Sequence, residues 1–319
     1  MENIINKFKE KKILVIGDIM LDEYIYGDVT RINPEAPVPV LNAQKVEFRL
    51  GGAANVAANV AALGGQCVLI GRVGADEIKN KIISLLNESK IFFKLVEQDS
   101  FASIKKTRIV ARAQQVVRVD WEKVQPIDTK GINEVINFIN VLDFDLIILS
   151  DYGKGIFVPE LVDKLKLLDK KIIVDPKPQN MNMFKDTFLI TPNLKEAKEI
   201  TRKEDLMEAG AEIVNNFGCH SVITRGGEGC SFFEKQGSVQ HIPSVKIRDI
   251  YDVVGAGDTF ISAISLALAA DANFSDACMI ANHAAGISVG KRGTATVFLD
   301  ELLNSLKLED NQWGNNTLN

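Results

Sequence analysis

Short runs of apolar, mostly β-branched residues recur along the chain and alternate with longer segments in which apolar residues follow the helical period. The runs are uninterrupted, which is typical of parallel strands that are covered on both faces. They predict strands at 13–16, 67–70, 146–149, 172–174, 188–190 and 221–224. The helical segments lie at about 52–63, 76–88, 128–140, 158–168, 193–200, 204–217, 255–270 and 274–290. This order predicts an α/β fold with a doubly wound, mostly parallel sheet flanked by helices.

Two segments interrupt this alternation. Residues 22–48 contain three prolines, which exclude a helix and predict extended structure at a sheet edge. Residues 104–121 alternate basic or polar residues with aliphatic ones, which predicts half-exposed antiparallel strands. Together these segments predict a small β-lid, formed by about 22–48 and 93–121, within a single domain that spans 1–319.

Composition narrows the class of protein. The chain has 319 residues, of which 46% are hydrophobic, and a formal net charge of −5. This length allows a large core, and an acidic chain lacks the basic balance of a general nucleic-acid binder. The N-terminus has no apolar signal core, and the four cysteines form no C-x-x-C pair. We therefore expect a cytoplasmic protein with free thiols and without nucleic-acid or membrane partners.

The strongest chemical motif lies at the start of the helix predicted at 255–270. Gly255, Ala256 and Gly257 let the backbone approach a ligand, and the first amides of a helix favour an anion such as a phosphoryl group. Asp258 follows directly and can accept the proton of an attacking hydroxyl. The alternative is that the small residues only ease helix packing and that Asp258 caps the helix. These residues alone favour neither interpretation.

Polar residues near two other element boundaries are candidate sugar contacts. Gly51 and Gly52 precede a small-residue helix, in which Asn55 offers both a donor and an acceptor. Asp18 and Asp22 follow the first strand, and open α/β sheets bind their ligands at the carboxyl ends of strands. Packing, capping or turn formation explains each of these residues about as well as a ligand does.

Two well-known nucleotide motifs are absent from the chain. There is no G-x-x-x-x-G-K-[ST] run, and no G-x-G-x-x-G follows the first strand, which disfavours a dehydrogenase. The turn at 224–229 is rich in glycine and follows a strand, although most such turns are only hairpins. Basic residues on the lid and at strand ends fit a solvated face or an anionic substrate: Lys105, Lys106, Arg108, Arg112, Arg118, Lys154 and Lys177.

The motifs at 51–57 and 252–260, in this order, resemble those of the pfkB or ribokinase-like carbohydrate kinases. The resemblance covers about 12–297 and implies an ATP- and Mg²⁺-dependent sugar kinase with the ribokinase-like fold. It implies that Asp258 is the base and that the three residues before it form the anion hole. It also implies that the nucleotide and its Mg²⁺ are bound by Asn193, Glu196, Thr224, Gly226, Gly227, Gly229 and Asn282. In this set, Glu196 would bind Mg²⁺ through water. Asp252 and Val254 match a monovalent-cation (K⁺) site of relatives, with Val254 in place of a common Thr.

A narrower resemblance connects the chain to the heptose 7-phosphate kinases of lipopolysaccharide-precursor synthesis. It rests on the residues at 17–22, 31–40, 112–115 and 150–155, with Ala113 standing where relatives often carry Asn. It implies transfer to O1 of D-glycero-β-D-manno-heptose 7-phosphate, giving the 1,7-bisphosphate. The residues expected to bind this substrate are Asp18, Asp22, Gly51, Gly52, Asn55, Arg112, Asp151, Lys154 and Lys177, with Arg112, Lys154 and Lys177 on the 7-phosphate.

Some relatives are fused to a nucleotidyltransferase domain with an H-x-G-H motif, which is absent here, so we expect the kinase domain alone. Lids of this family often pair across a two-fold axis, and we therefore expect a homodimer through the lid. The competing hypotheses are a kinase for another sugar or sugar phosphate and, more remotely, a non-catalytic sensor on the same fold.

Overall fold

The structure, a computed structural model, describes residues 1–112, 114–245 and 251–316, with side chains up to residue 307. Ala113 lies outside the described residues. The described strands are β1 (Lys12–Gly17), β2 (Ile19–Ile32), β3 (Pro39–Gly52), β4 (Gln66–Val73), β5 (Phe92–Glu97), β6 (Ile104–Ala111), β7 (Gln114–Trp121), β8 (Leu146–Ser150), β9 (Lys171–Asp175), β10 (Leu189–Ile190), β11 (His220–Thr224), β12 (Cys230–Phe233) and β13 (Val239–Ile242).

The main sheet contains nine of these strands, in the order β13-β12-β11-β10-β9-β8-β1-β4-β5. From β11 to β5 in this order, each strand pairs in parallel with the next one. The strands β12 and β13 add an antiparallel hairpin at the other edge, next to β11. The side chains of 13–16 in the central strand β1 are fully buried, as expected for a strand that is covered on both faces. The predicted doubly wound sheet and its strands are therefore confirmed.

Three strands of the main sheet were not predicted. The edge strand β5 carries Lys94 and Glu97, and its mostly exposed or half-buried side chains do not form an uninterrupted apolar run. The strands β12 and β13 have four residues each and form a hairpin, so they are too short for a periodic signal.

Helices cover both faces of the main sheet. The α-helices are α1 (Glu2–Ile5), α2 (Ala53–Ala62), α3 (Glu77–Glu88), α4 (Thr129–Ile139), α5 (Pro159–Lys166), α6 (Leu194–Thr201), α7 (Leu206–Phe217), α8 (Ala256–Ala269), α9 (Phe274–Val289) and α10 (Leu299–Asn316). One hydrophobic core lies between the sheet and α2, α3, α8 and α9, and a second lies between the sheet and α4 to α7. Among the helices that the structure describes, none is long and apolar enough to cross a membrane.

The lid is a separate four-stranded sheet in the order β3-β2-β6-β7. It continues directly from the main sheet, because β2 begins two residues after β1 ends. The strands β6 and β7 pair in antiparallel fashion as predicted, but β2 and β6 pair in parallel. The predicted second lid segment, 93–121, begins too early, since 93–97 belong to β5 and pair with β4 of the main sheet. The prediction of half-exposed strands fails for β7, in which every residue is exposed.

Candidate active site

The carboxyl ends of β8, β9, β10 and β11 border a cavity of about 170 Å³ together with the first turn of α8. The cavity brings together many of the residues that the sequence singled out. Its walls are formed by Tyr152, Asp175, Lys177, Thr191, Asn193, Glu196, Thr224, Gly255, Gly257, Asp258 and Phe260. Ligands of open α/β sheets bind in this kind of crevice, and the cavity is therefore the candidate active site.

Asp258 is buried in this cavity and accepts two hydrogen bonds from neighbouring side chains. Asn55 Nδ2 donates to Asp258 Oδ2 over 2.7 Å, and the Tyr152 hydroxyl donates to Oδ1 over 2.6 Å. The N-cap of α8 is Gly255 and no side chain caps this helix, so the capping alternative for Asp258 is wrong. Burial raises the pKa of Asp258 to about 6, and the two hydrogen bonds oppose this rise. This carboxylate is mostly ionised at neutral pH and can accept a proton there.

The glycines before Asp258 leave room at the start of α8. Gly255 has a φ of +82°, which favours glycine, and a Cβ on it would lie 3.0 Å from Asn55 Nδ2. Among the residues that the structure describes, and apart from its own turn of helix, a Cβ on Gly257 would meet no heavy atom within 4 Å. The first amides of an α-helix have no intrahelical acceptor and carry the positive end of the helix dipole. The open space in front of Gly257 therefore suits an anion such as a phosphoryl group.

Asn55 contacts Asp258 directly, and Asp22 lies at the base of the lid, close enough for its charge to raise the pKa of Asp258. The buried Asp22 carboxylate accepts a hydrogen bond from Arg108 Nη1 over 2.5 Å, so a lid cation neutralises it. A Cβ on Gly51 would lie 2.7 Å from Asp22 Oδ2, which explains why a residue without a side chain stands there. Gly52 has a φ of +58° and forms the N-cap of α2, the helix that carries Asn55.

Asp18 and Asp151 bind protein backbone, and neither lines the cavity. Asp18 accepts from the backbone amides of Tyr152 and Lys154 over 3.0 Å and from that of Ile156 over 3.3 Å. Asp151 accepts from the backbone amides of Gly153 and Lys177 and from the side-chain amide of Asn180. Burial raises the pKa of Asp18 to about 6. These two carboxylates hold the loop after β8 in place.

The three predicted phosphate ligands lie in different places. Lys177 reaches the cavity, where its Nζ pairs with Glu196 Oε1 over 2.5 Å. Lys154 Nζ pairs with Glu122 over 2.6 Å, beside the base of the lid. Arg112 lies at the far end of the lid with a side chain that is 76% exposed, about 20 Å along the strands from Asp22. The structure therefore does not bring Arg112 to the cavity.

The predicted nucleotide residues cluster around the ends of β10 and β11. Asn193 and Glu196 form a reciprocal capping box at the start of α6, in which each side chain accepts from the other residue's backbone amide. Thr224, at the end of β11, forms an isolated parallel β-bridge with Asn193. The turn that follows Thr224 contains Gly226, Gly227 and Gly229. Asn282 Nδ2 donates to the Pro243 carbonyl over 3.0 Å.

Glu196 and Asp175 provide carboxylate oxygens on the wall of the same cavity. Burial, and then the charge of Glu196, raise the pKa of Asp175 well above its ordinary value, whereas Lys177 opposes this rise. A divalent cation would relieve this repulsion, and Mg²⁺ prefers carboxylates and water as ligands. The donor set therefore fits Mg²⁺.

Asp252 organises the loop before α8. Its Oδ1 accepts from the Val254 amide over 3.0 Å, and its Oδ2 accepts from the Gly293 amide over 3.1 Å. The side chain of Asp252 is thus engaged by backbone amides, which leaves the carbonyl oxygens of this loop as the groups for a monovalent cation. The K⁺ site stays a prediction.

Three residues of the site carried no assigned role in the sequence analysis. Tyr152 follows β8, and Asp175 is the last residue of β9. Their position at the ends of strands was the one sequence feature that could have marked them as site residues. Arg108 stood among the lid cations, and only the pairing of β6 with β2 brings it next to Asp22. None of these contacts is local in the sequence, and the residues alone therefore could not specify them.

Solved structures share this fold. The structure of Escherichia coli phosphofructokinase-2 in complex with substrates and products covers 92% of this chain and 97% of the phosphofructokinase chain, with a TM-score of 0.78 and 19% identity. Ribokinase from Thermotoga maritima covers 93% of this chain and 99% of the ribokinase chain, with a TM-score of 0.75 and 21% identity. At these identities, the likeness concerns the fold.

Curated relatives are much more similar in sequence. The bifunctional protein HldE of Psychromonas ingrahamii is 38% identical over 314 residues, and that of Haemophilus influenzae is 37% identical over 308 residues. These matches cover 96% and 94% of this chain but only 66% and 64% of the relatives, so the chain spans about two thirds of their length. The model of the pfkB family of carbohydrate kinases matches residues 10–301. The chain therefore belongs to the pfkB carbohydrate kinase family.

Proposed function

We propose that this kinase transfers the γ-phosphoryl group of ATP to O1 of D-glycero-β-D-manno-heptose 7-phosphate, giving the 1,7-bisphosphate. The observation that carries the proposal is the buried Asp258 carboxylate beside the open start of α8. The similarity to the HldE proteins over nearly the whole chain supports the heptose as the acceptor. The narrower sequence motifs at 17–22 and 150–155 lie within this similarity and agree with it.

In the proposed mechanism, Asp258 accepts the proton of the attacking anomeric hydroxyl. Asp22 and Asn55 orient the sugar hydroxyls, and the amides at the start of α8 face the transferring group. Mg²⁺, bound through Glu196 and Asp175, would neutralise charge on the phosphates. Lys177 is the basic residue among the described residues that line the cavity, and we therefore assign it to the phosphoryl-transfer side rather than to the sugar phosphate. The lid covers the acceptor and excludes water.

Cations near the lid base support an anionic acceptor. A second cavity, of about 440 Å³, extends from Asn55 and is lined by Arg49, Lys291 and Arg292. Arg49 donates to the backbone carbonyls of Arg292 and Thr294, which fixes its guanidinium at this wall. Glu88 also lines this cavity, and Arg49 and Lys291 pair with Glu47 and Glu301. A sugar phosphate held by Asn55 could extend its phosphate into this space and compete for these cations.

A panel of acceptors tests the proposed substrate. With ADP release as the readout, we expect kcat/KM for heptose 7-phosphate to exceed that for the unphosphorylated heptose by about 10- to 100-fold, because charge-assisted hydrogen bonds to the phosphate are lost. Ribose, fructose 6-phosphate and adenosine serve as the other acceptors. A clear preference for an unphosphorylated sugar would contradict the proposal, and no ADP release with any acceptor would favour the non-catalytic sensor.

We further propose that the protein forms a homodimer through the outer face of the lid. Strand pairing places Val46 of β3 on the same face as Val117, Val119 and Trp121 of β7. The exposed fractions of these four residues are 48%, 45%, 38% and 58%. An exposed apolar sheet face of this kind usually belongs to an interface, and a second copy would also cover the edge strand β7.

Replacing both Val117 and Val119 by glutamate is expected to convert the dimer to a monomer, because two charges would be buried in the interface without partners. Sedimentation equilibrium distinguishes the 35.1 kDa monomer from twice that mass. Val141→Glu, at a position that is 80% exposed and lies outside the lid, is the control and should leave the mass unchanged. A wild-type protein that sediments as a monomer at micromolar concentration would refute the interface.

A further inference from the structure

We propose that Tyr152 is a positioning residue for proton transfer, whose hydroxyl holds the Asp258 carboxylate in its reactive orientation and in its ionised form. This inference rests on the role of Asp258 as the base in the proposed function. It concerns a residue that lies within the motif at 150–155 but carries no role of its own in the sequence analysis.

The contact between the two side chains is short and lies within the active-site cavity. The Tyr152 hydroxyl donates to Asp258 Oδ1 over 2.6 Å, while Asn55 Nδ2 donates to Oδ2 over 2.7 Å. One donor on each oxygen fixes the plane of the carboxylate. Each oxygen keeps further acceptor capacity, so an acceptor hydroxyl can still reach the base.

The loop that carries Tyr152 is held from several sides. The Asp18 carboxylate accepts from the Tyr152 backbone amide over 3.0 Å, which anchors the residue at its main chain. The Tyr152 ring packs against the apolar cluster of Met20, Phe101 and Ile104 at the lid base. Lys177 Nζ lies 5.7 Å from the ring centroid on the cavity side. A side chain confined in this way can orient its neighbour, and this gives Asp18 a physical role as the anchor of Tyr152.

The charges around Asp258 explain why a donor is needed there. Burial and the nearby carboxylate of Asp22 raise the pKa of Asp258, while Tyr152, Asn55 and Lys177 lower it. Asp175, at the end of β9, faces the same cavity and adds negative charge. Burial, and then the charge of Asp258, raise the pKa of Tyr152 well above its ordinary value, so this hydroxyl stays protonated and acts as a donor.

Tyr152→Phe removes the donor and keeps the ring. At neutral pH we expect kcat to fall by about 10- to 100-fold, as is typical for the loss of a hydrogen bond to a charged group. The acidic limb of the kcat profile should move to higher pH, while KM for the sugar changes less than about threefold. Tyr251→Phe, in an exposed side chain, is the matched control and should behave as wild type. An unchanged kcat, or a raised KM with an unshifted profile, would overturn the proposal.

An isosteric variant separates positioning from a folding defect. Site-specific incorporation of 3-fluorotyrosine at Tyr152 keeps the ring and the hydroxyl and makes the hydroxyl a stronger donor that still stays protonated, so the acidic limb should move to lower pH, opposite to Tyr152→Phe. An unmoved or raised limb in this variant would overturn the proposal even if Tyr152→Phe does not fold.

A measurement without acceptor keeps this test independent of the proposed substrate. In protein labelled with ¹³Cγ-aspartate, the Asp258 resonance is identified by its absence in Asp258→Asn, and its titration midpoint should rise in Tyr152→Phe. An unchanged midpoint would contradict the role of Tyr152, whereas inactivity towards heptose 7-phosphate alone would contradict only the proposed acceptor.

Discussion

Asp258→Asn is expected to lower kcat by about a thousandfold, because the amide cannot accept the proton of the attacking hydroxyl. The replacement has nearly the same shape, and its carbonyl oxygen can still accept from Tyr152. Binding of ATP should persist, since the nucleotide residues around Asn193 and Thr224 are untouched. Coupled ADP release measures kcat, and calorimetric titration with ATP measures the affinity.

The control for this variant is Asp163→Asn, which removes a carboxylate whose side chain is 75% exposed and should leave kcat unchanged. The wild-type profile supplies a second criterion. Because burial raises the pKa of Asp258 to about 6, and only the ionised form accepts a proton, kcat should fall as the pH drops through this value. Turnover of Asp258→Asn within tenfold of wild type would refute the assignment of the base.

The sequence predicted the main sheet well for a physical reason. Strands that are buried on both faces need uninterrupted apolar runs, and such runs can be recognised one at a time. The start of α8 was predictable for the same reason, because Gly255, Gly257 and Asp258 lie within four consecutive residues and form a local motif. Features that depend on one stretch of chain could therefore be derived from the sequence.

Features that depend on two distant stretches could not be derived in this way. Asp18 and Asp22 both follow β1, yet only the tertiary contacts determine that Asp18 binds backbone amides of the loop after β8 while Asp22 pairs with Arg108 of the lid. Arg108 and Arg112 are both lid cations four residues apart, and the register between β6 and β2 places only Arg108 beside Asp22. The partner of Tyr152 lies 106 residues further along the chain. In each case the residue type indicated the chemistry, and the tertiary contact determined the place.

The Asn-x-x-Glu element shows how a local structural role and a chemical role coincide. Asn193 and Glu196 satisfy the start of α6 as a capping box, which alone would explain both residues. The second oxygen of Glu196 pairs with Lys177 inside the cavity, so one carboxylate serves the helix and the site. A sequence pattern cannot separate these roles, because the same two residues at the same spacing fulfil both.

Gly257→Ala is expected to make the protein more stable and much less active. Gly257 lies in the first turn of α8, where alanine limits the unfolded chain more than glycine does and adds about 0.5–1 kcal/mol of stability. The new methyl group meets no heavy atom within 4 Å in the described part of the chain outside its own helical turn, and it would project into the open space that we assign to the phosphoryl group. We expect kcat to fall by about 100-fold, the effect of losing one contact to a developing negative charge.

Gly255→Ala provides the contrast, because its Cβ would lie 3.0 Å from Asn55 Nδ2 and its φ of +82° is unfavourable for alanine. This variant should lose both stability and activity, as measured by thermal unfolding and by ADP release. If Gly257→Ala is more stable and Gly255→Ala less stable than wild type, while both lose activity, then the space at Gly257 serves the reaction rather than the packing of α8. If Gly257→Ala kept kcat within threefold of wild type, that space would not be the place of the transferring group, and the anion hole would have to lie elsewhere along the cavity.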